Sequence, residues 1–179
     1  AWREQTGVSP KVSVNISGRH FASPDFINTV LALLHEFKIE PNTLGIEITE
    51  RAVIEKFAIA QNNIQVLQKN HVRVLLDDFG TGYSSLTYLK KLPAEVIKID
   101  QSFVRDMLED QDDLAIVQGV IGLANAFQRE VIAEGVETIQ HGFELMKMGC
   151  MLAQGYGIAR PMPAEDLLKW ARSWTPDKL

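Results

Sequence analysis

Six short apolar runs, each followed by a stretch with helical periodicity, restrict this chain to a parallel-sheet architecture. The runs are Val12–Ile16, Leu44–Ile48, Arg73–Asp77, Val96–Ile99, Val131–Ala133 and Ala153–Tyr156. They are mostly β-branched or apolar, as expected of parallel strands buried on both faces. Ser23–Pro24–Asp25 predicts a helix through about Phe37, with Ser23 as N-cap and Pro24 at its first position. Val53, Phe57, Ala60, Ile64 and Leu67 recur at helical spacing and predict one helix from Arg51 to about Lys69. Further helices are expected over Ser84–Lys91, Leu114–Phe127, Thr138–Lys147 and Ala164–Trp170. The acidic stretch Glu109–Asp113 reads as a solvated loop leading into the Leu114 helix, whose N-terminal dipole favours negative charge.

Strict strand–helix alternation implies parallel strands joined by right-handed crossovers. An open doubly wound sheet and a closed (β/α)8 barrel both satisfy that rule. Two observations favour the barrel. No GxGxxG or GxxxxGK loop follows any strand, and polar residues gather at the C-terminal end of nearly every strand, where barrel enzymes carry their chemistry. Six units in 179 residues come to about 30 residues apiece, whereas eight would need roughly 240. The expected fold is therefore an α/β, TIM-type (β/α)8 barrel, incomplete here, with about six of eight units present and the first two missing. Residues 1–179 are expected to belong to this one N-terminally truncated domain, with no second domain.

Charge and cysteine usage narrow the function. The net charge is −5 and no Lys/Arg block occurs, so duplex nucleic acid is not an expected partner. A phosphate-bearing ligand would have to be small and held locally, for example by metal ions. Cys150 is the single cysteine, which excludes an intrachain disulfide and a Cys/His zinc pattern and suits a reducing, cytoplasmic setting. No apolar run approaches the roughly 18 residues of a membrane helix, so no membrane contact by this segment is expected. His20, His35, His71 and His141 show no ligand spacing and read as surface or ordinary core residues.

The strand ends deliver Asn15, Glu47, Asp77 with Asp78, Lys98 with Asp100, Glu134 with Glu137, and Gln154 to one rim. A lone acid at a strand end is usually a cap or a surface charge; six strands in phase are not explained that way. Two like charges about 4 Å apart repel by roughly 4 kcal/mol at an effective dielectric near 20. Glu47, Asp77, Asp78, Glu134 and Glu137 must therefore bind protons, pair with cations or hold metal. Lys98 neutralises one charge. The remaining oxygen donors, with one amide, select Mg2+, Mn2+ or Ca2+ over zinc. Asp77 and Asp78 can reach one site only if the strand ends between them, and Gly80 and Gly82 offer the freedom for that turn. Neighbouring aspartates at such a bend suit a pair of metals about 4 Å apart and metal-assisted hydrolysis, with a phosphate ester as the expected substrate class.

The segments VSVNIS (12–17), IEITE (46–50), LLDDFGTGYSSLTYL (75–89), LPAEVIKID (92–100), VIAEGVET (131–138) and the GC…AQGY…RPMP stretch (149–163) closely resemble the EAL family of cyclic di-GMP phosphodiesterases. They run in family order over nearly the whole chain, and DDFGTGYSSL together with AEGVET is highly specific. The resemblance implies hydrolysis of cyclic di-GMP to linear pGpG with two Mg2+ or Mn2+ ions, Ca2+ being inhibitory. It implies Asn15, Glu47 and Asp77 as ligands of a first metal, and Asp78 with the shared Asp77 at a second. Lys98 resembles the lysine at the attacking water, and Glu134 the essential glutamate near the metals. Glu137, Gln154 and Asp100 match supporting positions. Glu50 and the loop Phe79, Gly80, Thr81, Gly82, Tyr83, Ser84 and Ser85 match the segment that couples metal binding to dimer contacts. A homodimer, and an upstream sensory or cyclase domain in the parent protein, are likewise implied. One departure stands out: no Glu-Ala-Leu segment occurs in the sequence, and its glutamate is a metal ligand in the family. The chain by itself is therefore expected to be inactive, and a non-catalytic cyclic di-GMP receptor or regulatory module is the alternative expectation.

Overall fold

A computed structural model describes residues 10–82 and 86–175. Its strands are β1 (Val12–Asn15), β2 (Leu44–Thr49), β3 (Arg73–Phe79), β4 (Val96–Ile99), β5 (Glu130–Ala133) and β6 (Leu152–Ala153). They lie in sequence order in one sheet, and every neighbouring pair is parallel. The helices between them are α1 (Gly18–Phe21), α2 (Phe26–Glu36), α3 (Glu50–Glu55), α4 (Phe57–Lys69), α5 (Leu86–Lys91), α6 (Gln101–Asp106), α7 (Gln111–Ala126), α8 (Ile139–Lys147) and α9 (Ala164–Ser173). This is the expected incomplete (β/α) barrel: six parallel strands, each followed by helix.

Side chains alternate across a strand, so the register divides the sheet into two faces. Ile46, Ile48, Val74, Leu76, Ile97, Ile99, Val131 and Ala133 form one face and join the main apolar core with Phe26, Ile64, Leu67, Val117, Ile121 and Leu145 from the helices. Glu47, Asp77, Lys98 and Glu134 occupy the other face, which also carries Leu75 and Val96 nearer the strand starts. Burial on both faces holds for β2 and β4. It fails for β1 and β6, whose residues are exposed, because each is an edge strand with a single neighbour.

Several boundaries differ from the sequence reading. Ser23 is not an N-cap: its amide donates to the His20 carbonyl at the exit of α1, and its own carbonyl accepts from Phe26. Ser23–Pro24–Asp25 is thus a turn between two helices, α1 having been unforeseen. The helix expected over Arg51–Lys69 is two helices, broken at Lys56 (φ −135°, ψ 47°). Asp110 caps α7 by accepting from the amides of Asp112 and Asp113, so that helix starts within the acidic stretch rather than at Leu114. The sixth strand is shorter and earlier than Ala153–Tyr156. Past Ala153 the chain presses against the β5–α8 loop so closely that a Cβ on Gly155 would lie 2.2 Å from the Val136 carbonyl oxygen. The start of the Ser84–Lys91 helix lies outside the described residues, as do Trp2, Tyr83, Ser84 and Ser85. Among the described residues no helix is long and apolar enough to cross a membrane.

Candidate metal and phosphodiester site

Strand register brings the predicted acids to one level of the sheet. Asn15 is the Cα partner of Glu47. Glu47 is the partner of Leu75, and Asp77 follows Leu75 by two residues on the same face. Lys98 likewise follows Val96, the partner of Leu75, and Glu134 follows Ile132, the partner of Lys98. Buried apolar side chains below, on a sheet held by helices behind, fix these backbones.

Lys98 sits at the centre, with its side chain 3% exposed. Its Nζ donates to Glu47 Oε2 at 2.6 Å and lies 2.6 Å from Glu134 Oε1 and 2.9 Å from Asp77 Oδ1. One ammonium therefore faces three carboxylates. The Asp77 contact is one of charge rather than a directed hydrogen bond, and Asp77 Oδ1 has no hydrogen-bond donor. Burial alone would push the Lys98 pKa down, but the contacts to Glu134, Glu47 and Asp77 outweigh it and hold the ammonium protonated. Burial raises the Glu134 carboxyl, opposed by Lys98 and assisted by the charges of Asp77 and Glu47. Asp78 is raised by burial and then by the neighbouring Asp77 and Asp100.

The Asp77–Asp78 pair is solved differently from the expected strand end. β3 runs on to Phe79, and the register shifts between Leu76, opposite Ile97, and Phe79, opposite Ile99. Two aspartates consequently oppose the single Lys98, which is a β-bulge. Asp78 takes the left-handed conformation at φ 54°, so the turn originates at an aspartate rather than at Gly80 alone; Asp tolerates this region better than most residues. As a result Asp77, Asp78 and Glu134 each offer one oxygen within 4.8 Å of the others. An all-oxygen donor set and an excess of negative charge around one lysine fit a hard divalent cation.

The loop after β3 has its own support. Glu50 is 3% exposed and its Oε2 accepts the Gly80 amide proton at 3.1 Å. A Cβ on Gly82 would lie 2.6 Å from Glu50 Oε1, so a side chain there would displace the Glu50 carboxylate. Phe79 is buried, and Thr81 donates its hydroxyl to the Asp78 carbonyl. Asp100 caps α6 by accepting from Ser102, through both its amide and its hydroxyl. The sequence reading did not foresee this helix, although Asp100 before Gln-Ser, followed by Phe103 and Val104, is a local N-cap signal for it. The side chains of Asn15, Glu137 and Gln154 form no hydrogen bond or ion pair among the described residues. Asn15 stands beside Glu47 in the register, and the backbone amide of Gln154 donates to the Ala133 carbonyl, one residue before Glu134. His141, read from sequence as an ordinary residue, is 5% exposed and bridges Thr138 Oγ1 at 2.7 Å and the Arg105 carbonyl at 3.0 Å.

The EAL domain family model matches residues 1–161. The chain belongs to the EAL domain family. It is 37% identical over 173 residues to the cyclic di-GMP phosphodiesterase PdeR of Escherichia coli, covering 97% of this chain and 26% of that protein. The solved structure of the MucR phosphodiesterase of Pseudomonas aeruginosa in complex with c-di-GMP superposes with a TM-score of 0.88 at 37% identity, covering 93% of this chain and 67% of that one. The EAL domain of Mycobacterium smegmatis DcpA gives a TM-score of 0.90 at 35% identity, with 98% and 79% covered. The chain spans about a quarter of the length of the curated relatives it matches.

Proposed function

We propose that this chain carries the greater part of a cyclic di-GMP phosphodiesterase site, hydrolysing one phosphodiester to give linear pGpG with Mg2+ or Mn2+. The observation that carries the reading is the meeting of Asp77, Asp78 and Glu134 oxygens within 4.8 Å beside the buried Lys98. In a family whose members include proteins named for cyclic di-GMP hydrolysis, that is the donor set such chemistry requires.

Asn15, Glu47, Asp77 and Asp78 would hold the divalent ions, Asp77 being shared between them. Bound metal supplies Lewis-acid charge for the phosphoryl oxygens and a water of lowered pKa. The residues contribute the rest. Lys98, kept protonated by its three carboxylates, fixes the position of Glu47 and Glu134 and presents positive charge where the entering oxygen would approach. Glu134, with its carboxyl raised, is suited to holding a proton at the same place. The bulge at Asp78 sets the spacing of the two aspartates. Glu137 and Gln154 flank the opening as supporting groups, and Asp100 steadies the loop beside Asp78. Dimer contacts through the loop after β3, an upstream sensory or cyclase domain in the parent, a cytoplasmic location and an inhibitory effect of Ca2+ belong to the same proposal.

The test is a chromatographic assay of cyclic di-GMP with Mg2+ or Mn2+, with and without EDTA, alongside calorimetry. Metal-dependent formation of pGpG is the expected result. The absence of both turnover and binding would overturn the reading. Tight binding of cyclic di-GMP without formation of pGpG would instead favour the second reading, a receptor that binds the dinucleotide without cleaving it.

A further inference from the structure

The short helix α6 follows β4, the strand of Lys98, and β4 lies between β3 and β5 in the sheet. The helix therefore stands between the two loops that carry the acids of the site. Val104 and Met107 are buried and fasten it to the core. Its first turn meets the loops on both flanks. A Cβ on Gly135, the residue after Glu134, would lie 2.7 Å from the Gln101 Cβ. Toward β3, a Cβ on Gly80 would lie 3.0 Å from Phe103 Cε2.

The loop after β3 has few other attachments. Its last backbone bond to the neighbouring unit runs from the Asp100 amide to the Phe79 carbonyl, at 3.4 Å. Beyond that point the turn closes on itself, the amide and the hydroxyl of Thr81 both donating to the Asp78 carbonyl. Such bonds fix the shape of the turn but not its height above the sheet. Among the described residues that height is set from two sides. Glu50 accepts the Gly80 amide proton, and the Phe103 ring lies against the Gly80 backbone.

The two supports differ in stiffness. Glu50 reaches the loop with a long, flexible side chain, and a carboxylate can follow a moving amide. Phe103 is a rigid ring that packs against the main core on a helix already anchored by Val104. Gly80 has φ 104°, a conformation open to glycine, so its backbone can approach the ring closely and can also shift if the ring is withdrawn. Asp78, two residues earlier, has φ 54°. A left-handed residue other than glycine persists only where the surrounding structure over-determines it.

We propose that Phe103 is a positioning residue for the metal ligand Asp78, acting through Gly80. Its ring stops the turn from sinking toward α6 and so keeps the two aspartates at the spacing the bulge gives them. The proposal rests on the metal-site reading above, since that reading makes Asp78 a ligand. Phe103 itself touches neither metal nor substrate.

Mn2+ calorimetry, thermal melts and amide resonances of the chain test this in wild type, Phe103→Leu, Phe103→Met and Val104→Ala. Phe103→Leu keeps an apolar side chain against the core but loses the ring edge. Val104→Ala is the control, since it removes buried volume from the same helix while the atoms nearest a Gly80 Cβ all belong to Phe103. The expected result is an Mn2+ Kd raised about tenfold in Phe103→Leu, in the range found when a group supporting a metal ligand is lost, with the Gly80 amide resonance shifted in EDTA. Phe103→Met, unbranched and long, should recover part of that loss. Val104→Ala should melt below wild type yet bind Mn2+ as wild type does. Wild-type Mn2+ affinity in Phe103→Leu overturns the positioning role while leaving the metal reading standing. Equal loss of affinity in Phe103→Leu and Val104→Ala also overturns it, because Phe103 would then act only through the stability of α6. If Phe103→Leu does not fold, Phe103→Met is compared with Val104→Ala in the same way. Wild type that takes up no Mn2+ removes the metal reading and the positioning role together.

Discussion

Lys98 and Glu134, on adjacent strands, meet with 2.6 Å between Nζ and Oε1, and the same Nζ is 2.6 Å from Glu47. Without metal, this lysine is the counter-charge that allows three acids to share one buried opening. Removing it leaves the acids facing one another. Breaking a buried pair typically costs about 3–5 kcal/mol, so Lys98→Met should melt well below wild type in EDTA. Divalent metal should recover more stability in the variant than in wild type, since it replaces the missing charge. Thermal melts with EDTA and with Mn2+ check this. Equal melting temperatures of variant and wild type in EDTA would contradict the central role of Lys98.

His141 ties the segment after β5 to the segment after β4, through Thr138 and the Arg105 carbonyl. With Nε2 donating to a carbonyl, Nδ1 is left to accept from the Thr138 hydroxyl. His141→Phe keeps the volume and loses both bonds, leaving the half-buried Arg105 carbonyl without this donor. The expected loss is about 1–3 kcal/mol in urea unfolding. His141→Gln, which retains a donor, should lose less. Equal stability of His141→Phe and wild type would show that the bridge contributes nothing.

Glycines of this chain separate into two kinds. A Cβ on Gly82 would meet Glu50 Oε1 at 2.6 Å, whereas nothing lies within 4 Å of one on Gly119 or Gly122. Gly82→Ala should drive the Glu50 carboxylate from the Gly80 amide, seen as a shift of that amide resonance. Gly119→Ala, within α7, should instead stabilise by about 0.5–1 kcal/mol. The opposite order of effects in denaturant titrations would contradict this geometry.

Much of the fold was legible because apolar runs and helical periodicity are local signals. β2 and β4 lie close to where their residues place them, and the acids at strand ends share a face because strand alternation demands it. What escaped the sequence depended on tertiary contacts or on single backbone angles. The bulge at Asp78 turns on one left-handed residue that no composition rule requires. The break at Lys56 interrupts a stretch with unbroken apolar spacing. β6 ends early because the Gly155 backbone meets the β5–α8 loop, a contact between distant segments. His141 has no motif partner in sequence, and its role appears only when Arg105 is brought to it.

The account depends on Asp77 and Asp78 holding a divalent ion beside Glu134, and Mn2+ binding followed by electron paramagnetic resonance tests that most directly. The prediction is loss of the free Mn2+ signal as wild-type protein is added, with affinity reduced about tenfold or more in Asp77→Asn. A free Mn2+ signal unchanged by wild-type protein, or an Asp77→Asn variant that binds as tightly, would contradict it.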